Sequence, residues 1–171
     1  MEDSDDNEEF IHSMYNEMYN EMFGSHKSRL MRLCCAGEVT LESINKLKDD
    51  IGKTDNFNIT ALMFYCLYDG KSSEIIDALS SEIGMQDTEG YTALMGFMTG
   101  EHNTINIDCI LALRDEIGMK NQYNEYALDM FCANVYKDID KDIAHQIINI
   151  LRDEYKPNRY YNGVDVESII N

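Results

Sequence analysis

The sequence predicts an all-α protein made of stacked helix pairs, because two separate markers return along the chain at one spacing. One marker occupies residues 55–63, 87–95 and 121–129, and the other is an Ile-Gly pair at 51–52, 83–84 and 117–118. Within the first marker, Leu62, Leu94 and Leu128 stand 32 and 34 residues apart, and the Ile-Gly pairs repeat both intervals. Periods of this length are typical of helical solenoids, in which each helix pair buries its apolar face against its neighbours.

The repeat organises residues 23–171 into one predicted domain. It has four full units, at about 23–54, 55–86, 87–120 and 121–156, and a partial unit at 157–171. The first unit is more divergent, but Leu30 stands 32 residues before Leu62 and continues the spacing. Residues 1–22 hold neither marker and form a separate segment.

A tight turn is predicted at the start of the second, third and fourth units. Gly90 adopts a positive φ without steric cost. Asn58 and Asn124 occupy the equivalent positions and are the next best residue types for that backbone conformation. The three turns are therefore expected to share one left-handed residue each.

Two residues after the turn, a side-chain hydroxyl can accept a hydrogen bond from the exposed N–H groups of a first helix. Ser28, Thr60 and Thr92 supply this hydroxyl in the first three units. Tyr126 stands at the same position of the fourth unit and cannot cap in this way. The first helix of the fourth unit is therefore expected to begin less cleanly.

Apolar residues at helical spacing follow each predicted cap. In the second unit they are Leu62, Tyr65 and Cys66 in a first helix, then Ile75, Ile76 and Leu79 in a second helix. Glycines suited to a left-handed helix end come just after the second helices, namely Gly52, Gly84 and Gly118. Each unit is therefore expected to be a capped helix-turn-helix pair.

These residues resemble the ankyrin repeat, whose pattern begins Asp-x-x-Gly-x-Thr-Pro-Leu-His-x-Ala. Residues 87–95 match it, with Ala93 in place of the Pro and Met95 in place of the His. The longer segment 84–95 is also similar to the ankyrin-repeat proteins of diplomonad protozoa. The general resemblance covers about residues 28–156 and implies an ankyrin-type helix-turn-helix solenoid with short finger loops between the repeats.

The resemblance also implies where a partner would bind. Ankyrin-type stacks bind proteins on a concave face, made by the finger tips and the exposed sides of the first helices. Matched position by position, the candidate binding residues are Asn56, Phe57, Tyr68, Thr88, Glu89, Tyr91, Gln122, Tyr123 and Glu125. Their aromatic members suit the anchoring role that a few residues play in protein interfaces. Alternatively, Ile59 and Tyr91 pack against the neighbouring finger.

Charge and composition narrow the classes of partner. The net charge of −18 repels phosphate groups, so neither nucleic acid nor an anionic membrane is an expected partner. The first unit, 23–54, is the only net-positive section, and residues 1–22 hold eight acids and no Lys or Arg. A protein with a basic surface is the expected partner, although the acidity could equally serve only to keep the chain in solution.

No feature of the sequence points to catalysis, a cofactor or a metal. The glycine-rich, nucleophile and metalloprotease motifs of common enzymes are missing. The four histidines are scattered, and the alternating acids Asp138, Asp140 and Asp142 lack the Gly and Glu of a calcium loop. The five cysteines show no Cys-x-x-Cys spacing and are expected to be reduced, which fits a cytoplasmic protein, with the nucleus as an alternative. No run of apolar residues is long enough for a membrane span, and the acidic N-terminus is unlike a secretory signal.

The segment 1–22 leaves a second function open. Residues 2–9 form a charged run, and Met14, Met18 and Met22 lie on one face of a predicted amphipathic helix. That helix either caps the first unit or is itself a ligand for a groove on another protein. The expected function is thus a non-enzymatic protein-binding adaptor or scaffold. The alternative is a regulatory or targeting module, or an effector of host proteins, in which this helix is the binding element.

Overall fold

The structure is a computed structural model that describes residues 26–100, 105–134, 139–157, 159, 161 and 163–170. The acidic tail and amphipathic helix predicted for residues 1–22 lie outside the described residues. In the part that is described, all regular structure is helical and no strand is present. The prediction of an all-α protein is therefore confirmed for that part of the chain.

The helices follow one another in pairs. They are α1 (Arg29–Cys35), α2 (Leu41–Lys46), α3 (Ala61–Tyr68), α4 (Ser73–Ala78), α5 (Ala93–Thr99), α6 (Ile107–Ala112), α7 (Ala127–Asn134), α8 (Lys141–Ile150) and α9 (Val166–Ile170). Short 3-10 helices extend the second helix of each pair, at Lys48–Asp50, Ser80–Glu82, Arg114–Glu116 and Arg152–Glu154. The first and second helices of the four predicted units thus alternate along the chain.

Neighbouring pairs pack side by side in chain order. Helix α1 contacts α3, α3 contacts α5 and α5 contacts α7, while α2, α4 and α6 make a second row in the same order. The leucines that share one position of the first helices are fully buried in a single core, and they are Leu30, Leu62, Leu94 and Leu128. Each pair is therefore covered by its neighbours, as the repeat spacing predicts.

The turns before α3, α5 and α7 form three similar loops, residues 55–59, 87–91 and 121–125, which we call the finger loops. In the middle loop, Asp87 Oδ1 accepts hydrogen bonds from the N–H groups of Glu89 and Tyr91, both at 2.8 Å. Asp55 and Asn121 hold the other two loops with the same pair of bonds. The predicted left-handed residues are confirmed, with φ angles of 60° at Asn58, 84° at Gly90 and 63° at Asn124.

The first helices begin at the predicted hydroxyl caps. Ser28, Thr60 and Thr92 each accept a hydrogen bond, at 3.3 Å, from the backbone N–H three residues later. In the fourth unit there is no hydroxyl cap, and a different bond forms: Asp129 Oδ2 accepts the N–H of Tyr126, the residue at the cap position, at 2.7 Å. The start of α7 is therefore held from inside the helix by a carboxylate.

Three buried glutamates join successive units, and the sequence pattern had not singled them out. Glu82, Glu116 and Glu154 end the 3-10 helices and are each only 1% exposed. One oxygen of each accepts the N–H of the glycine that closes the preceding unit, at 2.7–2.9 Å. The other accepts the N–H of the leucine near the start of the unit's own first helix, at 2.6–2.7 Å. An acid directly before each Ile-Gly pair was the signal that could have found Glu82 and Glu116.

Four of the five cysteines are buried. Cys34, Cys66, Cys109 and Cys132 lie in the core, while Cys35 is partly exposed. Burial raises the pKa of the Cys34, Cys109 and Cys132 thiols to about 12, and it raises the pKa of Cys66 strongly as well. Thiols with raised pKa values hold little thiolate at neutral pH, so these four are inert packing residues.

Candidate protein-binding surface

The finger loops and the first helices that follow them, α3, α5 and α7, make one surface, which we call the finger face. All nine predicted binding residues belong to it. Asn56, Phe57, Tyr68, Thr88, Glu89, Gln122 and Tyr123 are exposed, whereas Tyr91 and Glu125 are partly buried. Large hydrophobic side chains are usually covered, yet Phe57, Tyr68 and Tyr123 are 42%, 49% and 57% exposed.

Adjacent finger loops are bonded to each other through the backbone. The Thr88 N–H donates to the Phe57 carbonyl oxygen at 2.8 Å, and the Gln122 N–H donates to the Glu89 carbonyl oxygen at 2.9 Å. Gly90 also approaches the third loop closely, since a Cβ atom at this position would lie 3.0 Å from the Asn121 Cα. The spacing between the exposed side chains of Phe57 and Tyr123 is therefore set by direct contacts between loops.

Tyr91 is partly a packing residue. Its side chain is half-buried and lies in the hydrophobic cluster that packs against the core. Burial, and after it the charge of the Glu125 carboxylate, raises the pKa of the Tyr91 phenol. Tyr91 thus lies close to the third finger loop, and it is less exposed to solvent than Phe57 or Tyr123.

The finger face is acidic and holds no basic residue of its own. Residues 55–68, 87–99 and 121–134 contain five acids and no Lys, Arg or His. These acids are Asp55, Asp87, Glu89, Glu125 and Asp129. Basic side chains reach the two ends of the face from neighbouring segments. Lys27 Nζ lies 4.3 Å from the centroid of the Phe64 ring, and Arg159 Nε lies 2.6 Å from Asp129 Oδ1.

A cleft of about 170 Å³ opens on this face between α3 and α5. Ile59, Phe64, Tyr68, Asp87, Tyr91 and Gly96 are among the residues that line it. Two of them, Tyr68 and Tyr91, are predicted binding residues, whereas Phe64 and Gly96 were not predicted. Gly96 stands 32 residues after Phe64 and takes the same position in the next unit. An alignment of the units would have shown that Phe64 is replaced by Gly96 in the next unit, which has no side chain to fill the space.

The described residues contain no group of three or more His, Cys, Asp or Glu side chains placed to hold a metal ion. Across the same residues, no helix has the length and apolar character needed to cross a bilayer. What the finger face offers chemically is aromatic surface, carboxylates and an apolar cleft. These are groups that bind a ligand by contact and charge.

Comparison with models of known protein families finds no family that matches this chain, and comparison with curated proteins finds no matching relative. The function is therefore argued from the residues and geometry of the finger face.

Proposed function

We propose that this chain is a non-enzymatic adaptor or scaffold of the ankyrin-repeat type, and that it binds a protein partner through the finger face. The observation that carries the proposal is the exposure of three aromatic side chains, Phe57, Tyr68 and Tyr123, on loops and helices that hold five acids and no Lys, Arg or His of their own. Aromatic side chains bury a large area with few rotatable bonds, so they are frequent anchors of protein interfaces.

The repeated finger loops support the ankyrin-type assignment. Each loop has the same internal hydrogen bonds, and backbone bonds link each loop to the next. The first helices and second helices pack in two rows in chain order. In an ankyrin-type stack, the finger face would be the concave side.

The partner's chemistry follows from the charge of this face. Asp129 is paired with Arg159, and the four other acids of the face, for which the described residues show no ion pair, attract a basic surface and repel phosphate groups. We therefore propose a basic protein surface as the partner, and neither nucleic acid nor a membrane. A cytoplasmic location belongs to the same proposal, because it suits a chain whose buried thiols are unpaired.

A pull-down from the source cell tests this function. The informative variant is Phe57→Ala/Tyr123→Ala, because both side chains are exposed and their truncation leaves the core intact. The matched control is Leu111→Ala. Leu111 is also exposed, at 42%, but it lies outside the finger face, on α6, the second helix of the third unit. All variants should first show wild-type helicity by circular dichroism.

Partners lost with Phe57→Ala/Tyr123→Ala and retained with Leu111→Ala would support binding by the finger face. A deletion of residues 1–22 completes the comparison. Partners lost only in the deletion would refute the proposal and make the N-terminal segment the binding element.

A further inference from the structure

The cleft at Gly96 lies at the interface between the second and third units, which is packed differently from the interface between the first and second. In the first two units, Lys27 stands just before the cap of α1 and its ammonium lies over the Phe64 ring of α3, 4.3 Å from the centroid. Thirty-two residues on, Ile59 replaces Lys27 and Gly96 replaces Phe64. Both the cation and the ring are thus missing at the next interface, and an open space of about 170 Å³ remains.

The walls of this space are suited to an alkyl chain that ends in a cation. Ile59 and Leu67 provide aliphatic surface, and the Tyr68 and Tyr91 rings lie along it. Phe64 stacks with Tyr68 at a centroid distance of 6.4 Å, so the aromatic wall is continuous. Aromatic faces attract cations through the electrostatic field of the ring, as Phe64 does with Lys27.

Asp87 places a carboxylate in the same lining. Its Oδ1 already accepts the N–H groups of Glu89 and Tyr91 at 2.8 Å. Within the described residues, no hydrogen bond to its Oδ2 is found, so this oxygen can accept one donor from a ligand. An ammonium needs only one such acceptor, whereas a guanidinium is bound best by two carboxylate oxygens side by side.

We propose that the cleft at Gly96 receives a lysine side chain of the protein partner, with the stem against Ile59 and Leu67 and the ammonium at Asp87. This inference rests on the proposed function and specifies the partner's chemistry. An apolar side chain would cover the Asp87 carboxylate without pairing it, which is unfavourable. An acidic side chain would be repelled by the Asp87 carboxylate.

The test is an NMR titration of the full ¹⁵N-labelled chain with N-acetyl-lysine N-methylamide. We expect saturable shifts centred on the amides of Gly96, Tyr91 and Tyr68. The norleucine counterpart, which keeps the stem and lacks the ammonium, should bind about tenfold more weakly, because a charge-assisted hydrogen bond is lost. Equal binding of the two compounds, or shifts centred elsewhere, would overturn the proposal.

Variants locate the binding on the cleft. Gly96→Phe restores the ring found at position 64 and should abolish the shifts, because it fills the space. Tyr68→Ala is a second variant that spares the core, since Tyr68 is 49% exposed, and it should weaken binding about threefold. Leu111→Ala, outside the finger face, should bind as the wild type does. Unchanged binding in either cleft variant would refute the assignment.

The outcomes separate this inference from the proposed function. If the partner is lost with Phe57→Ala/Tyr123→Ala but retained by folded Gly96→Phe, the finger face binds and the lysine cleft is wrong. If the lysine compound binds at Gly96 and the partner is lost with folded Gly96→Phe but retained by Phe57→Ala/Tyr123→Ala, the cleft is right and the proposed role of those two aromatic residues is wrong.

Discussion

The Oε1 atom of Glu116 lies 2.9 Å from the backbone nitrogen of Gly84, so a buried carboxylate of the third unit holds the turn that closes the second. Its Oε2 accepts the N–H of Leu94 at 2.6 Å, in the first turn of α5. A helix start leaves backbone N–H groups without acceptors inside the helix. The Glu116 carboxylate satisfies one of these, the Leu94 N–H, together with the Gly84 N–H of the preceding turn, so it holds both ends of the segment that contains the finger loop 87–91.

Removing this carboxylate should destabilise the fold strongly. Glu116→Ala leaves the buried Leu94 N–H and the partly buried Gly84 N–H without their acceptor. We expect a loss of about 3 kcal/mol in the free energy of unfolding, measured by urea denaturation. Asp115→Ala is the matched control. Asp115 is the neighbour of Glu116 in the chain, its side chain is 83% exposed, and its contact with Arg114 at 4.0 Å is a weak surface ion pair. Equal losses in the two variants would contradict the role assigned to Glu116.

The buried glutamates also predict a pH dependence of the free energy of unfolding. Burial raises the pKa of Glu154 from 4.5 to about 7, although hydrogen bonds from the Gly118 and Leu128 N–H groups lower it. The nearby Asp129 carboxylate adds to the rise and Lys156 opposes it. A group whose pKa is higher in the folded state than in the unfolded state contributes its full stabilisation at pH values below the unfolded-state pKa. That contribution is lost as the pH rises through the folded-state pKa.

The unfolding free energy should therefore fall between pH 5 and pH 8 by an amount on the order of a few kcal/mol. Self-repulsion of a chain with net charge −18 acts in the same direction. Urea unfolding of Glu154→Gln at both pH values isolates the glutamate, since the amide does not titrate. A pH dependence as steep in Glu154→Gln as in the wild type would assign the whole effect to self-repulsion.

Two glycine substitutions should change stability in opposite directions. Gly96 lies inside α5, and an added Cβ would meet Met63 O at 3.7 Å and Leu67 Cβ at 3.9 Å, which are ordinary contacts. Gly96→Ala should therefore raise the free energy of unfolding by up to about 1 kcal/mol. Gly90→Ala should lower it, because φ is 84° and the new atom would lie 3.0 Å from the Asn121 Cα. Thermal unfolding of both variants gives the comparison, and a stabilised Gly90→Ala would contradict it.

Asp129, which holds the start of α7, also forms an ion pair with Arg159. Arg159 Nε lies 2.6 Å from Asp129 Oδ1, and the two side chains are 24% and 13% exposed. Arg159→Ala leaves a largely covered carboxylate unpaired, so we expect a loss of about 2 kcal/mol. Arg114→Ala is the control, because that side chain is 75% exposed. If chemical denaturation shows the same stability for both variants, the ion pair does not support the start of α7.

The sequence alone determined what depends on neighbours in the chain. The positive φ at Asn58, Gly90 and Asn124 follows from which residue types tolerate it, and the caps follow from a hydroxyl three residues before its donor. The repeat spacing also predicted helices throughout the described residues. Local sterics and short-range hydrogen bonds decide these features, so they can be read from a few adjacent residues.

Which atoms meet across units depends on how the helices pack. The bond between Glu116 and Gly84 joins residues 32 positions apart, and the cleft at Gly96 exists because α3 and α5 pack beside each other. A regular period indicates that neighbouring units touch, but the partners of a buried carboxylate depend on side-chain reach and burial. The hydrogen bonds that Glu82 and Glu116 make between units, and the cleft at Gly96, exist only when the helices are packed.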